Sequence, residues 1–426
     1  MGRVHAIFAF LLLASVTIFL SSCGSSNSSM SGSTTTPGAG SGTGSGGSSG
    51  SGKSIPGYGE GTGSSGQTSA AKFLFANPLP GGGPFAQSIQ ANGLLTSAAT
   101  GPANNVDPMT MAIDPSGSFL YQTAEGFNGG TQGGIFAFKI DRSSGGLETA
   151  IASYLTTQPF YADVVDNSGK FLYVLGGQGV YAFSIAPGAG TLTQISGSPF
   201  ATPTPTSVGY SQPASVMAVD QTNSFLYVST SQGIAAFNIN QSTGQLAPIA
   251  GSPFGTLPTG SWTIVITPNN SFLYQLEAKN GANIHAYSIN QSTGALTAIS
   301  GSPFSTGGCN SLVNSGTIGI PGPDNMTIAS AGKFMYDNCG IYSLDPTSGA
   351  VKQVSSQGPG DWPVIDPTGD FLWAISNDQQ ACFSCDVGVA TYQVDPNTGA
   401  LTQVPNGFLL LTNTEVGDVN ALAITK

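Results

Sequence analysis

The sequence predicts a seven-bladed β-propeller, and three observations carry the prediction. Sixteen residues are written almost twice, INQSTGQLAPIAGSPF at 239–254 and INQSTGALTAISGSPF at 289–304. A shorter phrase, a turn followed by an aromatic-Leu-aromatic triplet, recurs along the whole C-terminal part of the chain. The chain then ends on the opening of that phrase, while its first copy begins without one.

The shorter phrase reads IDPSGSFLY (113–121), VDNSGKFLY (165–173), VDQTNSFLY (219–227), ITPNNSFLY (266–274), IASAGKFMY (328–336) and IDPTGDFLW (365–373). A truncated copy, AAKFLF, stands at 70–75. The seven triplets start at Phe73, Phe119, Phe171, Phe225, Phe272, Phe334 and Phe371, and residues 71–426 divided among them give about 51 per unit. Units of this length are read as stacked supersecondary repeats.

Each unit reads as four short strands. Strand A is a small or apolar run such as PMTMAI (108–113). The turn after it holds Asp, which accepts local backbone bonds, and Gly, which takes φ > 0. Strand B is the aromatic triplet with two or three further residues. Strand C is the alternating series GIFAFKI (134–140), GVYAFSI (179–185), GIAAFNI (233–239), NIHAYSI (283–289) and GVATYQV (388–394). A second Asx-rich turn ending in Gly leads to strand D, for example GALTAI (294–299). The repeated sixteen residues are therefore a strand end, a turn and an outer strand. Four strands cannot bury both faces alone, so units stack, and a ring protects the edges.

Closure is written at the two ends. The first unit starts at strand B, over 72–76, and DVNALAITK (418–426) is a strand A with nothing after it. The last strand is expected to pair with the first.

Upstream, Arg3 and the apolar run 6–20 read as a signal segment, 1–22, too short for a comfortable span. Leu20-Ser21-Ser22-Cys23 resembles a bacterial lipobox, which implies lipidation of Cys23 and an anchor outside the cytoplasm. Gly24, where inner-membrane lipoproteins often carry Asp, favours the outer membrane. With the lipidated Cys23, residues 24–70 complete a Gly/Ser-rich tether over 23–70, and the propeller takes 71–426.

Charged residues are 7% of the chain and the net charge is −11, with ten Lys and Arg in all. Nucleic-acid binding needs a basic footprint, which is missing. Membrane contact is expected through the lipid anchor only.

The repeats resemble the lactonase-like seven-bladed propeller family with YVTN-type repeats, whose members include the propeller-type 6-phosphogluconolactonase. The resemblance rests on FLYV at 171–174 and 225–228, the strand C series, and GSPF at 197–200, 251–254 and 301–304. It implies the fold over 71–426 and, as an activity, lactone hydrolysis. No catalytic residue of that family is matched here.

The ends where strands A begin, called the top, carry eleven acids and one base, Lys279. A phosphorylated lactone asks for Arg or Lys, so the composition favours unphosphorylated substrates. There is no Ser-His-Asp set, phosphate loop or metal motif, and neither cofactor nor metal is expected. Asp163 stands out because its counterparts on strand A are Met111, Met217, Ile264, Met326, Pro363 and Leu422. A carboxylate in such a slot is costly unless paired or functional. Tyr161, Trp262, Asp324, Asp361 and Asn420, with Trp362, complete the candidate ligand-binding set. This mixture of aromatics and acids suits a neutral carbohydrate or small cation, or else plugs the channel.

Cys382 and Cys385 (CFSC) share one loop and read as a local disulfide; Cys309 and Cys339 lie on the same face and read as a second. A cross-pairing of the four is the alternative. Two functions follow: a binding module engaging a small ligand, glycan or envelope protein through the top, or a hydrolase of unphosphorylated lactones. The paucity of His and bases leans the reading toward the first.

Overall fold

The repeated phrase folds as two antiparallel strands and the turn between them, and the rest of each unit adds two more. The computed structural model describes residues 69–78, 83–102, 106–127, 133–148, 152–156, 159–203, 216–255, 261–277, 283–306, 325–338, 340–377, 387–411 and 419–425. The signal segment, nearly all of the tether, Asp324 and all five cysteines lie outside them. The described strands form seven antiparallel sheets with the chain order expected of four-stranded blades.

Blade 3 is representative, with strands Phe160–Val165, Phe171–Gly176, Gly179–Ile185 and Leu192–Gln194 side by side in chain order. Blade 1 is assembled from both ends. Its inner strand is Val419–Ile424, which pairs with Phe73–Pro78 in the register Leu74 opposite Ile424 and Phe75 opposite Ala423. The inner strands form an unbroken ring. Val106–Ile113, Phe160–Val165, Met217–Val219, Ser261–Ile266, Met326–Ile328 and Asp361–Ile365 each touch the next, and Val419–Ile424 touches the first and last of these.

The core lies between blades. One apolar cluster joins Phe119, Tyr121 and Ile135 of blade 2 to Phe160, Leu172 and Phe183 of blade 3. Another runs from Trp373 of blade 7 through Phe75 of blade 1 to Phe138 of blade 2. Each large side chain removed from water there contributes about 1.5–3 kcal/mol, so a blade gains most of its stability from its neighbours.

The aromatic triplet shows how neighbours are matched. Tyr227 donates its hydroxyl to the Gly294 carbonyl in the next blade at 2.9 Å. Phe225, two residues earlier, lies so close to Gly294 that a Cβ there would meet its ring at 2.5 Å. Gly294 also takes φ +71°, so both conformation and space require glycine. The hydroxyl bond recurs from Tyr121, Tyr173, Tyr274 and Tyr336 to the matching glycines, and Trp373 makes it with Nε1 to Gly93 of blade 1 at 2.9 Å. The turn glycine of one unit and the aromatic triplet of the preceding unit therefore form one device.

GSPF has a role of its own. Ser198, Ser252 and Ser302 each accept the amide of a strand C residue at 2.9 Å, and Phe200, Phe254 and Phe304 return to bridge the same strand. Strand C thus keeps a partner beyond the end of the short strand D.

Candidate functional site

One residue per blade, one position before the Asp163 slot on the inner strand, faces the slot of the following blade. Trp362 of blade 7 reaches Leu422 of blade 1 in this way, and Thr110 of blade 2 reaches Asp163 of blade 3. The slot residues Met111, Met217, Ile264, Met326, Pro363 and Leu422 are all buried, as apolar side chains between stacked strands should be. Asp163 occupies the same place with a carboxyl.

Its surroundings are sparsely polar. Thr110 Oγ1 donates to Asp163 Oδ1 at 2.5 Å. Thr110 in turn lies 2.9 Å, hydroxyl to hydroxyl, from Thr123 on strand B of blade 2, whose oxygen also accepts the Thr110 amide at 3.2 Å. Thr110 gives its proton to the carboxylate, so Thr123 is the donor between the two hydroxyls. Asp163 as a residue is partly exposed, yet its Oδ2 is shielded and has no hydrogen-bond partner. Burial pushes the carboxyl up to about 7, against the downward pull of the Thr110 bond and of nearby backbone amides. Desolvation wins because a single hydroxyl replaces the hydration of two oxygens.

The other predicted residues are distributed differently. Trp362 is core: it is 4% exposed, packs with the cluster that joins blades 7, 1 and 2, and donates Nε1–H to the Leu422 carbonyl at 2.8 Å. It takes φ +47°, rare for a bulky residue. Asp361 beside it is buried, and Asn338 of blade 6 donates to its Oδ1 at 3.4 Å. Tyr161 is partly buried on the strand that carries Asp163, two residues before it, and packs against the core shared by blades 3 and 4. Trp262 and Asn420 belong to the inner strands of blades 5 and 1. The structure joins none of these to Asp163 by a described hydrogen bond.

Sequence reasoning misses Thr110 and Thr123. Thr110 is one residue before the Met111 slot, and only the stagger between neighbouring inner strands shows that it meets Asp163. Among the described residues, Lys72, Arg142, Lys170 and Lys333 are exposed in or next to the turns at the opposite, bottom end, and no group of three His, Cys, Asp or Glu is placed to hold a metal ion.

The geometry offers a titrating acid in an apolar wall with one oxygen held and one open for a proton. It lacks a described cation for a phosphate.

Residues 163–312 match the family model described as "Lactonase, 7-bladed beta-propeller". No curated protein matches the chain closely enough to count as a relative. Among solved structures, the chain is similar to a putative 6-phosphogluconolactonase from Bacteroides uniformis, with 17% identity, TM-score 0.61, and coverage of 83% of this chain and 98% of the other. It is similar to a protein from Lactobacillus plantarum at 16% identity and TM-score 0.60, covering 84% and 99%. A periplasmic gluconolactonase from Pseudomonas aeruginosa gives 15% identity and TM-score 0.59, covering 84% and 99%. The chain has the lactonase-like seven-bladed propeller fold, as its repeats indicated.

Proposed function

We propose that the protein hydrolyses unphosphorylated lactones with Asp163 as general base. The observation that carries this reading is the Asp163 carboxyl: one oxygen held by Thr110, the other open, and titration near neutral pH. The fold likeness supports a lactone hydrolase over the binding module that composition alone favoured. The buried Trp362 weakens the case for an open aromatic binding face.

In the step proposed, Asp163 Oδ2 takes a proton from water as the water oxygen bonds to the lactone carbonyl carbon. The ring C–O bond then breaks, and the ring oxygen receives that proton back from Asp163. The product is a hydroxy acid, and no other reactant is consumed. A base with pKa near the working pH combines ionised population with driving force. Thr110 fixes the carboxyl rotamer and leaves Oδ2 as the accepting atom.

The test is turnover by the full chain on sugar and aliphatic lactones, each with its phosphorylated counterpart where one exists. The reading expects hydrolysis of the unphosphorylated set, reduced at least a hundred-fold in Asp163→Asn. No turnover on any lactone, or an unaffected variant, refutes it. We also propose that the chain is held outside the cytoplasm by lipid on Cys23, on the strength of the LSSC tetrapeptide at 20–23. Labelled palmitate should enter the wild-type chain and be absent from Cys23→Ala.

A further inference from the structure

The turn between strands A and B presents backbone amides to a side-chain acceptor in six blades out of seven. In blade 2, Asp114 Oδ1 accepts the amides of Ser118 at 2.8 Å and Phe119 at 2.6 Å, and Oδ2 accepts that of Ser116 at 3.1 Å. Asp166 and Asp220 repeat the arrangement in blades 3 and 4. Blade 5 replaces the carboxylate with two groups: Thr267 Oγ1 accepts the Phe272 amide, and Asn269 Oδ1 accepts that of Ser271. Thr425 serves blade 1, and Asp366 of blade 7 keeps the Thr368 amide while turning its other oxygen to Ala70 and Ala71.

Blade 6 breaks the series. Its residue is Ala329, which offers no acceptor to the amides of Ala331, Lys333 and Phe334, the counterparts of those bonded by Asp114. The backbone still closes the same turn, with Gly332 N to Ala329 O at 2.7 Å and Ala329 N to Phe334 O at 2.9 Å. Converging amides without their anion are an anion-binding concavity.

The same turn borders a cavity of about 280 Å³ between the bottoms of blades 5 and 6. Pro268, Phe272 and Tyr274 line one side and Ser330, Ala331 and Gly332 the other. Gly332 explains part of the space. At its position blades 4 and 5 carry Asn223 and Asn270, which reach back to accept the amides of Asn167 and Gln221 in the preceding blade. Asp345 stands at the rim, and its Oδ1 is already engaged by the amides of Thr347 and Ser348. The exposed Lys333, within the turn itself, supplies the opposite charge.

We propose that this turn and cavity bind a small carboxylate, whose carboxyl group takes the place of the missing Asp side chain and whose body lies against Phe272 and Tyr274. The assignment to a carboxylate rather than another oxyanion follows from the three blades in which a carboxylate fills the same amides through both oxygens. It does not depend on lactone hydrolysis.

The experiment titrates acetate and then butyrate into the ¹⁵N-labelled full chain at constant ionic strength, following the amides of Ala331, Lys333 and Phe334. Methyl acetate and inorganic phosphate are the controls. Saturable shifts confined to that turn are expected with the carboxylates, tighter for butyrate, and none with the ester. Ala329→Asp should supply the carboxylate internally and weaken acetate binding at least ten-fold. Ala329→Thr, which copies the acceptor of blades 1 and 5, should act in the same direction and guards against misfolding of the first variant. Absence of saturable shifts, an unchanged affinity in a folded variant, or an equal response to phosphate overturns the proposal.

Discussion

Replacing Asp163 with Asn changes stability and its pH dependence in a direction the structure fixes. The carboxyl sits near 7 in the folded chain against an ordinary 3.8, because burial disfavours its charged form. Between those values the native state holds a proton that the unfolded state has released. Stability therefore falls as pH rises from about 4 to about 7 and levels off above that. The full gap corresponds to about 4 kcal/mol at ~1.36 kcal/mol per pH unit, an upper bound because Asp163 is partly exposed. Asn has the same shape, accepts the Thr110 hydroxyl and carries no charge. Its amide protons lack a described partner, which returns about 1–3 kcal/mol. The variant should thus be equal to or less stable than wild type at pH 4.5 and more stable, by about 1–3 kcal/mol, at pH 8. Urea unfolding at both pH values measures the difference. If the wild type and Asp163→Asn share one pH profile, the carboxyl is not held in an apolar wall and the reasoning fails.

Other outcomes follow from the contacts between blades. Tyr227→Phe leaves the Gly294 carbonyl without its donor and should cost about 1–2 kcal/mol in urea unfolding. Gly294→Ala should cost more, since its Cβ would strike the Phe225 ring and the residue sits at φ +71°; a smaller loss than for Tyr227→Phe would contradict the packing described. Thr425→Val removes the acceptor of the Lys72 and Phe73 amides where the two chain ends meet, and should lower stability by about 1–2 kcal/mol while speeding hydrogen exchange at Phe73.

The architecture was legible because its devices are periodic. The aromatic triplet and the turn Gly repeat since every blade must meet the next in the same way, and a missing strand at one end with a surplus strand at the other shows closure directly. GSPF was legible as a phrase but not as a cap: nothing in its letters says that Ser252 accepts the Ala236 amide. The site was legible only where it broke the pattern. Asp163 was visible as a carboxylate in an apolar column, but Thr110 was hidden, because the stagger that brings it 53 residues across to Asp163 is a property of stacked, twisted sheets. Trp362 shows the converse. A tryptophan at a top mouth looks like a binding aromatic in sequence, whereas its indole is spent on Leu422 and the interblade core. Ala329 escaped notice because the absence of a side chain is visible only against the turns that have one.

The central claim is that Asp163 is the titrating base of a lactone hydrolase. Its most direct test is the pH dependence of kcat/KM on the best unphosphorylated lactone, for wild type and for Thr110→Val. The wild-type rate should rise through an apparent pKa near 7, and loss of the Thr110 hydroxyl, which stabilises the ionised form, should move that midpoint upward. A rate independent of pH between 5 and 9, or a midpoint unmoved in Thr110→Val, would contradict it.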